Sequence, residues 1–321
     1  MKLISFIIPV YNGEKYIDRC LNSIFCQNCN NDIEIIIIND ASTDNTYDIC
    51  CKYSKKYNNI TLLNNIKNCR VSYSRNIGIK YASSKYLFFL DIDDFLTKNS
   101  LSVMLKTAQL NNDLICFPIF SNKTNNLTKY DLPLSGQVFQ NDLFQKNLSC
   151  LFDVTVSTWI KNKLYKTSII KDNDIKFNVN MSYSEDMMFN LSFFPSAFNY
   201  FFEDFSILVY DRDVENSLSR QFESNLITQF FIQREHFDKF LNNNNILINK
   251  YYYLDCVGLL TYCVYKVLNS NSDNKNKINE LNVLLKNNPK HLLPYFNLNN
   301  AEELSVFNFI KTRDFNILFK E

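Results

Sequence analysis

Residues 86–96 read YLFFLDIDDFL: five apolar or aromatic residues run straight into three carboxylates, Asp91, Asp93 and Asp94, within four positions. The apolar run predicts a buried strand over 86–91, and the acids then stand at its carboxyl end. Open parallel sheets bind ligands beyond the carboxyl ends of their strands. Three acids this close raise one another's pKa values unless something positive joins them. A divalent cation, Mg²⁺ or Mn²⁺, suits such oxygen ligands; it uses one or two carboxylates and lets substrate phosphates complete its shell. The stretch therefore predicts a metal that bridges the protein to a diphosphate.

Working outward, the first hundred residues alternate in type. LISFIIPV (3–10) and the β-branched run IEIIIIND (33–40) read as buried strands, the second as a central parallel strand covered on both faces. Between them, residues 14–27 carry apolar side chains at helical spacing. Ser42, with Asp44 behind it, is the expected N-cap of a helix through TYDICCKYSKKY. A short strand at 60–65 and a helix at 71–83 complete the rhythm, which means βαβ units and a parallel sheet. Asp40 ends the second strand, so it shares a rim with Asp91 and Asp93. Further on, 113–120 reads as one strand, 161–173 as partly helical, and 182–194 as a helix opened by a Ser182–Glu185 capping box. Residues 200–213 alternate like an edge strand. From about 220 the pattern is helical: 221–245, 250–269, 275–287 and 300–312.

Composition removes several function classes. The 321-residue chain has a formal net charge of +1 and no long basic run, which argues against a nucleic-acid partner. Its four glycines cannot build a GxGxxG or a P-loop, and its two histidines, His236 and His291, argue against a His-based triad or a multi-His metal site. Ten scattered cysteines, with one CxxC at Cys26 and Cys29, read as buried thiols of a reducing compartment. The amino-terminal apolar run is short and contains Pro9, unlike a secretory signal, and no window is apolar enough to span a membrane.

Four stretches in order carry a resemblance. FIIPVYNGEKYIDRCLNSI, IIIINDASTDNT, SRNIGIKYASSKYLFFLDIDDF, and NKLYKTSIIKDNDIKF followed by SEDMMFN resemble a family 2, GT-A-fold glycosyltransferase over roughly residues 1–220. The resemblance implies a mostly parallel α/β sheet in two halves, 1–112 for the nucleotide sugar and 113–219 for the acceptor, with a helical region at 220–321. It implies that Pro9, Tyr11 and Glu14 meet the nucleoside, that Asp40 accepts from a uracil imide, and that Arg75 is a base- or phosphate-side cation. Asp93 becomes the direct metal ligand, Asp91 lies on the metal or the ribose, and Asp186 is the base that deprotonates the acceptor. Trp159, Lys163, Glu185, Tyr210 and Arg212 are weaker candidates for the diphosphate or acceptor. The activity implied is inverting transfer of a hexosyl or N-acetylhexosaminyl group from a UDP-sugar to a glycan or lipid-linked acceptor, for surface polysaccharide or lipooligosaccharide, in the cytoplasm or at the inner face of the membrane. Peripheral membrane contact through 220–321 and homo-oligomerisation stay open.

Each residue also has a plainer reading. Asp40 caps the next helix; Asp94 is a helix-start acid; Glu185 serves only its capping box; Arg75 is a surface ion pair; Trp159, Tyr11 and Tyr210 are packing. FFLDIDDFL also resembles the aspartyl nucleophile motif of haloacid-dehalogenase-type phosphatases, though Phe95 stands where Thr or Val is expected. A nucleotide-sugar-binding module without turnover is a third reading. The chain departs from the transferase pattern at Ala41 and Arg70, where glycine is usual, and at Asn39, where an acid is commoner; it lacks a Gln-x-x-Arg-Trp signature.

Overall fold

The computed structural model describes residues 2–27, 30–140, 150, 153–213, 225–247, 250–270 and 272–319. The chain forms two compact units. One comprises Met1–Asn180 and Glu185–Glu215, the other Met181–Ser184 and Asn216–Glu321.

The first unit is built on an eight-stranded sheet of order β3-β2-β1-β4-β10-β6-β11-β9. Its parallel part contains β1 (Ile4–Val10), β2 (Ile33–Asn39), β3 (Ile60–Asn64) and β4 (Tyr86–Phe89). β1, β4 and all but one residue of β2 are buried, as apolar runs without alternation require when helices cover both faces. The connecting helices are α1 (Ile17–Phe25), α2 (Thr46–Lys56) and α3 (Arg70–Tyr81). In α3, Gly78 lets the helix lie against the sheet: a Cβ there would come within 2.3 Å of Ile7 Cγ2. The chain runs β1, β2, β3 outward and returns to place β4 on the other side of β1. The crevice beyond β1 and β4 is thus a topological switch point, where α/β sheets bind ligands.

Two expected strands are each divided between sheets. Residues 113–120 give β6 (Leu114–Cys116) in the large sheet and β7 (Ile119–Lys123) in a four-stranded one, the break falling at Phe117–Pro118. Proline has no N–H for a ladder, so the strand ends there. Residues 200–213 likewise give β11 (Tyr200–Phe202) and β12 (Leu208–Asp211). The small sheet has the order β5-β12-β7-β8, with β5 at Phe95–Leu96 and β8 at Asn126–Tyr130. β9 (Gln137–Phe139) edges the large sheet. α4 (Ser100–Ala108) follows β5. Residues 161–173 hold β10 (Lys163–Lys166), antiparallel to both neighbours, and then α5 (Thr167–Asp172). α6 spans Glu185–Phe193.

The second unit is helical: α7 (Leu226–Asn243), α8 (Lys250–Leu268), α9 (Asn274–Asn287) and α10 (Ala301–Thr312). Its core includes Leu226, Phe230, Phe237, Leu260, Val264, Leu281 and Phe309. Residues 221–224, expected to begin the first of these helices, lie outside the described residues. Among the described residues no helix is long and apolar enough to cross a membrane. Six of the nine described cysteines are buried and all nine are free; Cys29 lies outside the described residues.

Candidate functional site

The rim beyond β1 and β2 is fixed by interlocking turns. Asn12 N–H donates to Ser42 Oγ (3.0 Å), Thr43 N–H to Asn12 Oδ1 (2.8 Å), and Gly13 N–H to Thr46 Oγ1 (2.8 Å). Glu14 Oε2 accepts from both the backbone and side-chain nitrogens of Asn45. Ser42 is therefore not the cap of α2; Asp44 Oδ1 accepts from Thr46 N–H at the start of that helix. Pro9 is buried in β1, one residue short of its end, whereas Tyr11 is 48% exposed just beyond it. Asp40 is buried and does not cap α2 either: its Oδ1 accepts from Asn65 Nδ2 (2.7 Å) and Cys69 N–H (2.9 Å), which ties it to the loop before α3. Ala41 and Arg70 have φ of +58° and +71°, a left-handed backbone that glycine adopts without strain. The departures from the expected glycines fall on backbone that favours glycine.

At the end of β4 the carboxylates are held by two buried cations. Arg75, on α3 and 4% exposed, donates from Nη2 to Asp91 Oδ1 (2.9 Å) and from Nη1 to Asp186 Oδ1 (2.8 Å), with Glu185 Oε1 at 3.4 Å. Its guanidinium lies over the Phe177 ring, 5.3 Å from the centroid. Arg75 is thus not a surface ion pair: both terminal nitrogens are engaged by acids from α6 and from the turn after β4. The second cation is Lys161, a residue to which the sequence pattern assigns no role. Its Nζ lies 2.7 Å from Asp94 Oδ2, 3.1 Å from Asp91 Oδ2 and 3.8 Å from the centroid of the Tyr210 ring. The signal in the sequence is a lysine inside the apolar run TWIKNKLY, but two lysines share that run.

Asp94 does not start a helix. It is fully buried, its Oδ1 accepts from Asp211 N–H (3.0 Å) and its Oδ2 takes Lys161, so it joins β12 to the acidic turn. Arg19, also unforeseen, braces the same turn by donating to Asp93 O (2.6 Å) and pairing with Asp211 Oδ2 (2.7 Å). Lys163, expected near the diphosphate or acceptor, is fully buried; its Nζ donates to Thr155 O, Trp159 O and Asn162 Oδ1. Its side chain points into backbone carbonyls, and burial lowers its pKa to about 8. Trp159 is half-buried with its ring edge-on to Tyr130 and Tyr210. Arg212 is exposed beyond β12. The Ser182–Glu185 capping box does not form: the Ser182 and Tyr183 N–H groups donate to Gln229 Oε1.

The electrostatics follow from burial against these two cations. Burial pushes Asp91 up, but Lys161 and Arg75 outweigh it and hold its carboxyl well below the usual range. Burial raises Asp94 to about 7, with Asp93 and Asp91 adding to it against the pull of Lys161. Burial also raises Asp186 to about 7, against Arg75 and with Glu185 and Asp91. Burial and then Asp91 raise Asp93. Lys161 stays protonated because the three acids overcome its desolvation.

One atom from each of Asp91, Asp93 and Asp94 lies within 4.8 Å of the others. Asp94 has both oxygens engaged and its side chain fully buried, whereas Asp91, although its two oxygens take Arg75 and Lys161, keeps a side chain that is 25% exposed. Among the described residues no lysine or arginine lies within ion-pair distance of the Asp93 carboxylate. Five acids (91, 93, 94, 185, 186) face two cations (75, 161), an excess of three carboxylates over bases. A hard divalent cation fits that excess and that donor set, with Asp93 and Asp91 as the residues to hold it.

Comparison with known proteins gives the family. The pattern described as Glycosyl transferase family 2 matches residues 5–173. A poly(ribitol-phosphate) beta-glucosyltransferase of Bacillus spizizenii is 31% identical over 199 residues, 60% of this chain and 30% of that protein. The poly(ribitol-phosphate) beta-N-acetylglucosaminyltransferase TarP of Staphylococcus aureus is 29% identical over 230 residues, 68% of this chain and 66% of that protein. The chain thus spans less than two thirds of either relative. Among solved structures, S. aureus TarS 1–349 in complex with UDP-GlcNAc superposes with a TM-score of 0.69 at 19% identity, covering 99% of this chain and 89% of that one. The mannosyltransferase PcManGT of Pyrobaculum calidifontis, in complex with GDP-Man and Mn²⁺, gives 0.52 at 12% identity, over 96% of this chain and 84% of that one. These likenesses establish the GT-A-like α/β fold. They favour neither the phosphatase reading nor the inactive module.

Proposed function

This chain belongs to glycosyl transferase family 2, and from that membership we propose that it transfers a sugar from a UDP-sugar to a hydroxyl of a surface glycan or glycolipid, with inversion. The observation that carries the reading is the Arg75 bridge. One guanidinium joins Asp91, at the end of β4, to Asp186, at the start of α6, and so sets a candidate base beside the candidate diphosphate site. In the reaction the acceptor oxygen attacks the anomeric carbon as the bond from that carbon to the diphosphate breaks. Asp186 takes the hydroxyl proton, and UDP leaves with the bonding electron pair. A divalent ion on Asp93 and Asp91 would supply Lewis-acid neutralisation of the departing diphosphate. An α-linked donor then gives a β-glycoside, in line with the beta linkage in the names of the two relatives above. Tyr11, exposed beyond β1, is a face on which a base can pack, and Asp40 is the acid fixed beside it on the rim.

Arg75 acts here as a positioning residue rather than a phosphate contact, and Lys161 does the same for Asp91 and Asp94. The test is calorimetric titration of UDP with and without Mn²⁺. Wild type should bind UDP more tightly with Mn²⁺, Asp93→Ala should lose the metal dependence, and Asp186→Asn should keep binding but lose transfer. Binding that ignores both the metal and Asp93 would remove the donor site from these carboxylates.

A further inference from the structure

The chain that carries Lys161 to the acidic turn is itself held from within the first unit, by groups the proposed chemistry does not use. Residues Val154–Thr158 form a single π-helical turn. A lone turn leaves carbonyls without an intrahelical partner, and buried carbonyls need donors. Two fully buried side chains supply them, Lys163 and Asn190. Lys163 takes Thr155 O and Trp159 O. Asn190 Nδ2 donates to Ser157 O (2.8 Å), with Thr158 O at 3.2 Å and Trp159 O at 3.3 Å. Asn190 Oδ1 accepts from the Tyr165 hydroxyl (2.5 Å), so both ends of the carboxamide are engaged. Asn190 stands four residues after Asp186 on α6, hence on the same face of that helix, one turn along. The contacts therefore close a ring inside one unit. Asp186 meets Arg75, Arg75 meets Asp91, and Asp91 meets Lys161. Two residues before Lys161, the Trp159 carbonyl faces Asn190, which returns the ring to α6.

We propose that Asn190 is a positioning residue for the transfer step: by fixing the 154–159 segment to α6, it sets the spacing between Asp186 and the Lys161–Asp91 pair. The inference rests on the function proposed above and deepens it. Coulombic attraction falls off slowly with distance, so the ion pairs of the ring tolerate small shifts, whereas a hydrogen bond weakens steeply when its geometry is lost. Without Asn190, Arg75 and Lys161 still attract their acids, but the directional contact that fixes where α6 stands against the turn is gone. A displacement of about 1 Å at a reacting group costs on the order of 10²-fold in rate. The loss falls on kcat, because Tyr11, Asp40 and Asp93 on the donor side take no part in the ring.

The test compares the full chain with Asn190→Leu, which keeps the branched shape and removes the donor. Tyr86→Phe is the control for stability loss alone: it deletes another buried hydrogen bond, to Asn112 O (2.6 Å), at the opposite end of β4. Two readouts are taken. The first is UDP release from UDP-glucose or UDP-N-acetylglucosamine, whichever wild type turns over faster, with water as the acceptor. In Asn190→Leu kcat should fall at least about fivefold with the donor KM unchanged, and Tyr86→Phe should keep both. The second is acrylamide quenching of Trp159, the only tryptophan, whose carbonyl is one of those Asn190 holds. Quenching should increase in Asn190→Leu and stay at the wild-type level in Tyr86→Phe. Should Asn190→Leu fail to fold, Asn190→Ser, too short to reach the carbonyls, should give the same two changes. A smaller fall in kcat, an equal fall in Tyr86→Phe, a change carried by KM alone, or unaltered quenching overturns the role. If wild type hydrolyses neither donor, the quenching decides alone, so failure of the proposed function and failure of this inference are told apart.

Discussion

Lys161→Met removes the cation that holds the acidic turn. Exposed ion pairs contribute about 0–1 kcal/mol, whereas breaking a buried pair by deleting one partner costs about 3–5 kcal/mol. The larger figure applies here because Lys161 is 7% exposed and Asp94 is fully buried. Methionine keeps most of the volume against the Tyr210 ring, so the loss is chiefly the stranded charge. The structure also sets how the deficit depends on pH. Asp94 already sits at about 7, raised by burial, and without Lys161 it rises further. Between its unfolded and folded values the folded variant binds more protons than the unfolded chain, so its stability falls as pH rises. The deficit should be near 3–5 kcal/mol at about pH 8 and shrink at about pH 5.5, where Asp94 takes up a proton. Urea unfolding followed by fluorescence reads this directly, because Trp159 is the only tryptophan and lies in the same unit, packed against Tyr210. A deficit below about 1 kcal/mol, or one equal at both pH values, would refute the buried-cation account.

Asp186→Asn should lower the rate of UDP release from donor plus acceptor by roughly 10²–10⁴-fold with little change in UDP affinity, as removal of a general base does. In wild type, burial holds the Asp186 carboxyl at about 7, so kcat/KM should climb as pH rises through that value and level off above it. A pH profile flat across neutrality would exclude Asp186 as the base. Ala41→Gly should stabilise the protein on the order of 0.5–1 kcal/mol, since relief of a left-handed alanine exceeds the entropy glycine adds to the unfolded chain; the urea midpoint measures it. Gly78→Ala should destabilise by about 1–3 kcal/mol, because its Cβ would sit 2.3 Å from Ile7 Cγ2 and force α3 off the sheet. An unchanged midpoint for Gly78→Ala would mean that the helix–sheet spacing yields freely.

Local pattern sufficed for the parallel half of the fold and for its rim. Runs such as IEIIIIND are buried on both faces whatever their neighbours, and acids that end such runs must stand at the strands' carboxyl ends. Asp40, Asp91 and Asp93 were legible for that reason. Pattern could not say to which sheet a short apolar segment belongs, so 113–120 and 200–213 each read as one strand and proved to serve two. Nor could it say which cation meets which acid. Lys161 and Lys163 stand two apart in one run, yet the first turns to Asp94, 67 residues away, and the second into backbone carbonyls. Arg75 reaches Asp186 across 111 residues. The alternation of apolar and polar residues is a property of a segment, but the partner of a buried charge is set by the packing of distant segments, and that exists only in the folded chain.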